Sequence, residues 1–324
     1  MEDKIYIPRS SEKKKKEIVI SIIVVIVVTI LSLFLVKYIK NEKYKKTYEY
    51  KLIQIGYTKE EAQELEKVNN LDLEYILTIE KNDNIIPLTK EKYFMNKNLE
   101  KYLAYKNDNQ DKSLTDVVAI VNVKANNDWY TDTVKTDTEK DLQILVNKFY
   151  TVDEEYEPND LVNIKNWYAY GDNQKMRKEA YDMFLSMYNA AEKDNIKIII
   201  NSSYRPYTEQ KEIYDQYLEW YGQEKTDALA AHPGSSEHQT GLAIDVFTNG
   251  YNSKNFDESD AFEWLTKNAY KYGFILRYPK DKEYLTGYDY ESWHYRYVGK
   301  EIAEYIQNNN ITYDEYYAYF LDEK

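Results

Sequence analysis

The sequence predicts an α+β protein. It has a single catalytic domain with a central antiparallel or mixed sheet flanked by helices, preceded by one transmembrane helix and a small helical stalk. Three observations lead there. An uncharged apolar run of membrane-spanning length, residues 18–36, lies near the start. Beyond it, apolar residues at helical spacing alternate with short apolar runs of strand length. Two histidine-bearing segments, 236–245 (SEHQTGLAID) and 291–294 (ESWH), run into two of those strand candidates.

With 324 residues, the chain has room for a membrane segment, an accessory region and one catalytic domain. The reading divides it into a cytoplasmic tail (1–17), a signal anchor (18–36), a juxtamembrane helical stalk (37–110) and a catalytic domain (111–324). There is no cysteine, which excludes disulfides, thiolate metal sites, iron–sulfur clusters and thiol nucleophiles. Residues 1–46 hold 11 Lys/Arg against 5 Asp/Glu, so a chain of net charge −13 carries −19 beyond them. An acidic body argues against nucleic acid as a partner.

Residues 18–36 (IVISIIVVIVVTILSLFLV) lie just after Lys13, Lys14, Lys15 and Lys16. A basic flank before the helix favours the N-terminus inside and the bulk of the chain outside, although Lys37, Lys40, Lys43, Lys45 and Lys46 lessen the asymmetry. A cleaved signal peptide would have an apolar core of roughly 7–15 residues closed by small residues. This run is longer and ends Phe34-Leu35-Val36-Lys37, so it reads as an uncleaved anchor in a single-pass protein.

Residues 37–56 read as a helical extension of the anchor. Thr58 and Glu61 then form a capping-box pattern that starts a helix, and short helical patterns run to about Leu103. Residues 117–123 (VVAIVNV) and 142–149 (LQILVNKF) read as strands, and 157–162 as an ordered loop. Met176, Ala180, Met183, Met187 and Ala191 recur at helical spacing, predicting a helix over about 174–193. A strand follows at 196–200, a helix at 207–220 and a strand at 242–247. Phe262, Leu265, Ala269 and Tyr272 mark a further helix, stopped by Gly273. Residues 274–276 and 293–298 are the last strands.

A catalytic zinc ion takes three ligands from His, Asp or Glu and keeps one position for water. With three histidines and no cysteine, the choice here is narrow. His238 and Asp245 are separated by Gly241, which lets the chain turn into a strand. On that strand Ala243 and Asp245 share one face, and Leu242, Ile244 and Val246 the other. His294, on another strand, completes the triad. Glu291 lies three residues earlier, where a carboxylate can move a proton between water and a leaving amine. Arg205, in a turn closed by Pro206, offers a permanent charge to an oxyanion or a substrate carboxylate. His232, beside a Pro-Gly turn, reads as a packed residue, and Arg296 as a structural partner.

These residues resemble the VanY-type D-alanyl-D-alanine carboxypeptidases, zinc peptidases of bacterial cell walls that include the LdcB-type L,D-carboxypeptidases. The family pattern S-x-H-x-x-G-x-A-x-D is met by Ser236 to Asp245, and E-x-W-H by Glu291 to His294. Ser202-Ser203-Tyr204-Arg205, Gln210, Pro233-Gly234, 274–279 (FILRYP) and 293–299 (WHYRYVG) extend the match over roughly 115–310. Ser203, Ser292 and His232 depart from the family's usual glycine, proline and Lys/Arg. The resemblance implies zinc on His238, Asp245 and His294, with Glu291 as base and Arg205 as stabiliser. It places Ser236 and Gln210 in the substrate pocket. It implies removal of C-terminal D-alanine from peptidoglycan stem peptides, and the anchor reading puts the domain on the extracytoplasmic side of the cell membrane. Two alternatives stay open: L,D-cleavage of tetrapeptide stems, and a non-catalytic wall-binding module that keeps the zinc.

Overall fold

An uncharged run of this length suits a helix, which satisfies its own backbone polar groups, and the Thr29 and Ser32 hydroxyls donate to carbonyls within it without breaking it. In the computed structural model, which describes residues 9–322, that helix is α1 (Arg9–Tyr44). It is long and apolar enough to cross a membrane, a property it shares with signal sequences, and no part of the apolar stretch is buried by protein. The expected extension to residue 56 is interrupted. The chain turns after Tyr44, and the Thr47 hydroxyl accepts the Tyr50 N–H to start a separate helix, α2 (Tyr48–Gln54).

The chain divides into two compact units, one up to Lys90 and one from Glu91. In the first, α3 (Lys59–Glu66) begins with the capping box of Thr58 and Glu61, and two short helices follow, α4 (Leu73–Ile76) and α5 (Ile85–Thr89). Leu52, Leu65, Ile76, Ile85 and Leu88 are buried and form its small core.

The second unit opens with α6 (Leu99–Asp108) and α7 (Leu114–Asn122). The latter corrects the strand expected at 117–123. The Ser113 hydroxyl accepts the Asp116 N–H as an N-cap, and residues 117–122 are all buried. A short apolar run buried on every side has no period to distinguish strand from helix. The strand expected at 142–149 is also absent. Leu142 and Gln143 end a 3₁₀ turn (Thr138–Gln143), and residues 144–149 are a buried loop that leads into β2 (Tyr150–Thr151), the partner of β1 (Val134–Lys135). The Leu142 and Ile144 carbonyls accept from the Arg296 guanidinium, and the Asn147 side chain accepts from the Phe149 and Tyr150 N–H groups. Side chains satisfy the polar groups that a ladder would otherwise have used.

Part of the loop expected at 157–162 is β3 (Leu161–Asn163), antiparallel to β4 (Lys175–Arg177). The amphipathic helix is α8 (Lys178–Lys193). There follow β5 (Ile199–Ser202), α9 (Tyr207–Tyr221), α10 (Gln223–Leu229), β6 (Ala243–Phe247), α11 (Asp260–Asn268), β7 (Phe274–Leu276), α12 (Glu283–Thr286), β8 (His294–Tyr297), α13 (Lys300–Asn309) and α14 (Tyr313–Tyr316). The central sheet has the order β5-β6-β8-β7, with every pair antiparallel. Leu242, just before β6, Ile244 and Val246 of β6 and Tyr295 of β8 pack with Phe184 and Met187 of α8 and Leu265 of α11. Burying that face leaves the opposite one, with Asp245 and His294, for the site.

Candidate metal centre and active site

Strand register brings the first two site residues together. Asp245 of β6 stands opposite His294 of β8, and Ala243 opposite Arg296. The Val246 N–H bonds to the Trp293 carbonyl and the Tyr297 N–H to the Leu242 carbonyl. Asp245 and His294 therefore form a non-hydrogen-bonded pair, the position in which facing side chains come closest. His294 Nδ1 is 3.0 Å from Asp245 Oδ1.

His238 arrives from a short 3₁₀ turn (Glu237–Thr240) closed by Gly241 at φ 65°. A Cβ at Gly241 would meet Leu161 Cδ2 at 2.8 Å, so glycine serves both the left-handed turn and the close approach of β3. His238 Nδ1 donates to the Ser203 carbonyl at 2.7 Å, which leaves the Nε2 lone pair free. That nitrogen is 3.4 Å from Asp245 Oδ2.

Ligand atoms of His238, Asp245 and His294 all lie within 4.8 Å of one another. Tetrahedral zinc with bonds near 2.0–2.1 Å separates its ligand atoms by about 3.3 Å, close to the 3.0 and 3.4 Å here. Electrostatics agree with the geometry. Burial disfavours charge on His294, yet its hydrogen bond to Asp245 and the nearby Glu237 and Glu291 carboxylates outweigh it and push its pKa up to about 9. Burial, reinforced by Arg205, holds His238 below its ordinary value against the pull of Asp245, as suits a neutral ligand. Burial opposes ionisation of Asp245 as well, but the two imidazoles hold it well below the usual carboxylate range. A metal ion would displace the proton that His294 otherwise holds, and two imidazoles with one carboxylate are a donor set that suits zinc.

Glu291 lies on the loop before β8, and its Oε2 is 3.5 Å from His294 Nδ1. Burial pushes its carboxyl up to about 8, against His294 and Arg205 and with help from Asp245. A group titrating near neutrality can both take and give a proton. Arg205 donates to Gln210 Oε1 and to Ser202 Oγ, both at 2.8 Å. Gln210 is itself fixed by donating to the Ala231 carbonyl at 2.7 Å. The guanidinium is thus aimed before any substrate arrives.

A cleft of about 540 Å³ is lined by all seven sequence-predicted residues: Arg205, Gln210, Ser236, His238, Asp245, Glu291 and His294. Tyr217 and Trp220 of α9, with Tyr278 and Tyr288, also line it and were not expected. His232 lies apart, stacked on Tyr130 at 3.6 Å and bonded to Asp227 at 2.8 Å. Arg296 is fully buried and donates to Glu237 Oε1 at 3.0 Å. Glu237 carries no role in the sequence reading. Its side chain has no exposure, and it also accepts from Arg277 Nε at 2.8 Å. Burial opposes its charge, but the two guanidinia hold it well below the carboxylate range. An acidic residue next to a predicted ligand, with arginines at 277 and 296 near the strands beside it, was the available signal.

Residues 173–300 match the family described as VanY, D-alanyl-D-alanine carboxypeptidase. YodJ of Bacillus subtilis (strain 168) is 43% identical over 55% of this chain and 67% of its own length. The chain belongs to the VanY family. A D-alanyl-D-alanine carboxypeptidase of Enterococcus faecium is 38% identical over 59% of this chain and 63% of its own. One from Enterococcus faecalis (strain ATCC 700802 / V583) is 36% identical over 53% and 64%. The matches thus span about two thirds of these relatives. The solved LdcB LD-carboxypeptidase, whose structure was described for peptidoglycan recognition, is 40% identical with a TM-score of 0.55, covering 58% of this chain and 91% of that one. With the VanY fold and ligand cluster in place, the protein is a carboxypeptidase, a peptide hydrolase of the cell wall.

Proposed function

We propose that this chain is a membrane-anchored, zinc-dependent carboxypeptidase that removes the C-terminal D-alanine from peptidoglycan stem peptides. The observation that carries the reading is the meeting of His238, Asp245 and His294 beside a half-buried carboxyl, Glu291, in one cleft with Arg205. Its site has α1 in the membrane, the lysines before residue 18 inside and the catalytic unit outside.

His238 Nε2, Asp245 and His294 Nδ1 would hold the zinc. When bound, zinc supplies Lewis acidity, lowering the pKa of water and polarising the scissile carbonyl. Glu291 takes the proton from the attacking water and passes it to the departing amine of D-alanine. Arg205, steadied by Gln210 and Ser202, neutralises negative charge on the substrate, either the terminal carboxylate or the developing oxyanion. Ser236 borders the same cleft and contributes to the substrate pocket.

The likeness to LdcB favours a second reading within the same chemistry, cleavage of the L-to-D bond in tetrapeptide stems. A wall-binding module without turnover would need neither Glu291 nor Arg205 in the cleft. The test is mass spectrometry of synthetic penta- and tetrapeptide stems after incubation with the full chain in detergent and zinc. Chelator-sensitive loss of one alanine from the pentapeptide is the expected result. Loss from the tetrapeptide alone would replace the D,D reading with the L,D one. No loss from either, in zinc-loaded folded protein, would leave the binding module.

A further inference from the structure

Glu237 uses one carboxylate oxygen and leaves the other without a partner. Oε1 accepts from Arg277 Nε and Arg296 Nη1. Oε2 is buried with no hydrogen bond, and so is His294 Nε2. These two orphan atoms face each other at 3.7 Å. A buried polar atom without a partner is costly, and two that face each other solve one another's problem.

The other side of the His294 ring decides which way the proton goes. Nδ1 points at Asp245 and Glu291, where the ligand atoms converge. A neutral imidazole has one lone pair and one N–H. With the lone pair on Nδ1, the N–H is on Nε2, and Glu237 Oε2 is the acceptor in front of it. His238 is arranged in the opposite sense, with Nδ1–H on the Ser203 carbonyl and Nε2 toward the cluster. The two histidines thus present different nitrogens, each set by the acceptor behind it.

Resting on the zinc reading above, we infer that Glu237 is a positioning residue for the metal: its free oxygen accepts His294 Nε2–H and selects the tautomer in which Nδ1 is the ligand atom. The carboxylate is itself fixed. Arg277 also donates to Asp314 at 2.6 and 3.1 Å, and Asp314 accepts from Asn147 at 2.8 Å. Glutamine cannot replace it. Its amide has one acceptor oxygen, whereas Glu237 must face two guanidinia with one oxygen and an N–H with the other.

The test uses the full chain in detergent, with zinc affinity read by competition against a chromophoric chelator. Glu237→Gln should bind zinc roughly 10–100-fold more weakly, the usual cost of removing an outer-shell partner. An unchanged affinity, beside a parent that binds zinc, overturns the inference alone. A parent that binds no zinc overturns the zinc reading and the inference with it. Should the variant not fold, ¹⁵N-histidine NMR of the unaltered zinc-loaded chain decides, since only three rings contribute. His294 protonated at Nε2 with its Nδ1 metal-bound is expected, and the reverse assignment overturns the inference.

Discussion

In the proposed mechanism Glu291 and Arg205 divide the chemistry between a mobile proton and a fixed charge, so their substitutions should fail differently. Glu291→Gln removes the base and should lower kcat by about 10²–10⁴-fold. Zinc content measured by atomic absorption should be unchanged, because Glu291 is not among the three grouped ligands. The base works only when deprotonated, so activity is lost as pH falls through its pKa. Burial sets that pKa at about 8 from an ordinary 4.5, and a bound cation draws it down. The acidic limb of kcat/KM should therefore lie between those values and vanish in the glutamine variant. Arg205→Lys keeps a charge but gives up the fork that Gln210 and Ser202 hold, and a stopped peptide-release assay should show kcat/KM falling at least tenfold. The departure at Ser203 is accommodated: its hydroxyl donates to Gln174 Oε1 at 2.5 Å and accepts the Lys175 N–H at 3.2 Å.

At the scale of elements, the sequence was most legible where a period or a motif spoke. The α8 helix and the strands β6, β7 and β8 were predicted closely, because each has a repeating apolar face or a stop residue such as Gly273. The site was legible for the same reason: a short motif fixes both the turn at Gly241 and the face on which Asp245 stands. Residues 117–123 and 142–149 were misread because they are buried all round, and burial erases the period. Glu237 was missed because its role depends on Arg277 and Arg296, far away in sequence. Two element-level tests follow. Gly241→Ala places a Cβ against Leu161 in a left-handed turn and should cost roughly 2–4 kcal/mol in a denaturant titration. Asp314→Ala strips Arg277 of a fully buried partner and should cost about 3 kcal/mol by the same measurement.

For the whole molecule, the anchor reading makes a simple demand. With α1 uncleaved, an N-terminally tagged chain should stay in the membrane pellet after alkaline carbonate extraction and keep its tag. A released, tagless product would make residues 18–36 a signal sequence. The pairing of Asp245 with His294 has a further consequence. Those residues are 49 apart, and a metal held by both would staple β6 to β8 across everything between. A chain without cysteine would thereby gain a reversible cross-link. By the chain-entropy relation for a loop of that length, the staple restricts the unfolded chain by about 4 kcal/mol wherever the ion stays bound. Were zinc the ion held there, its supply would set the lifetime of the folded chain as well as its turnover, and zinc starvation would expose it to proteolysis.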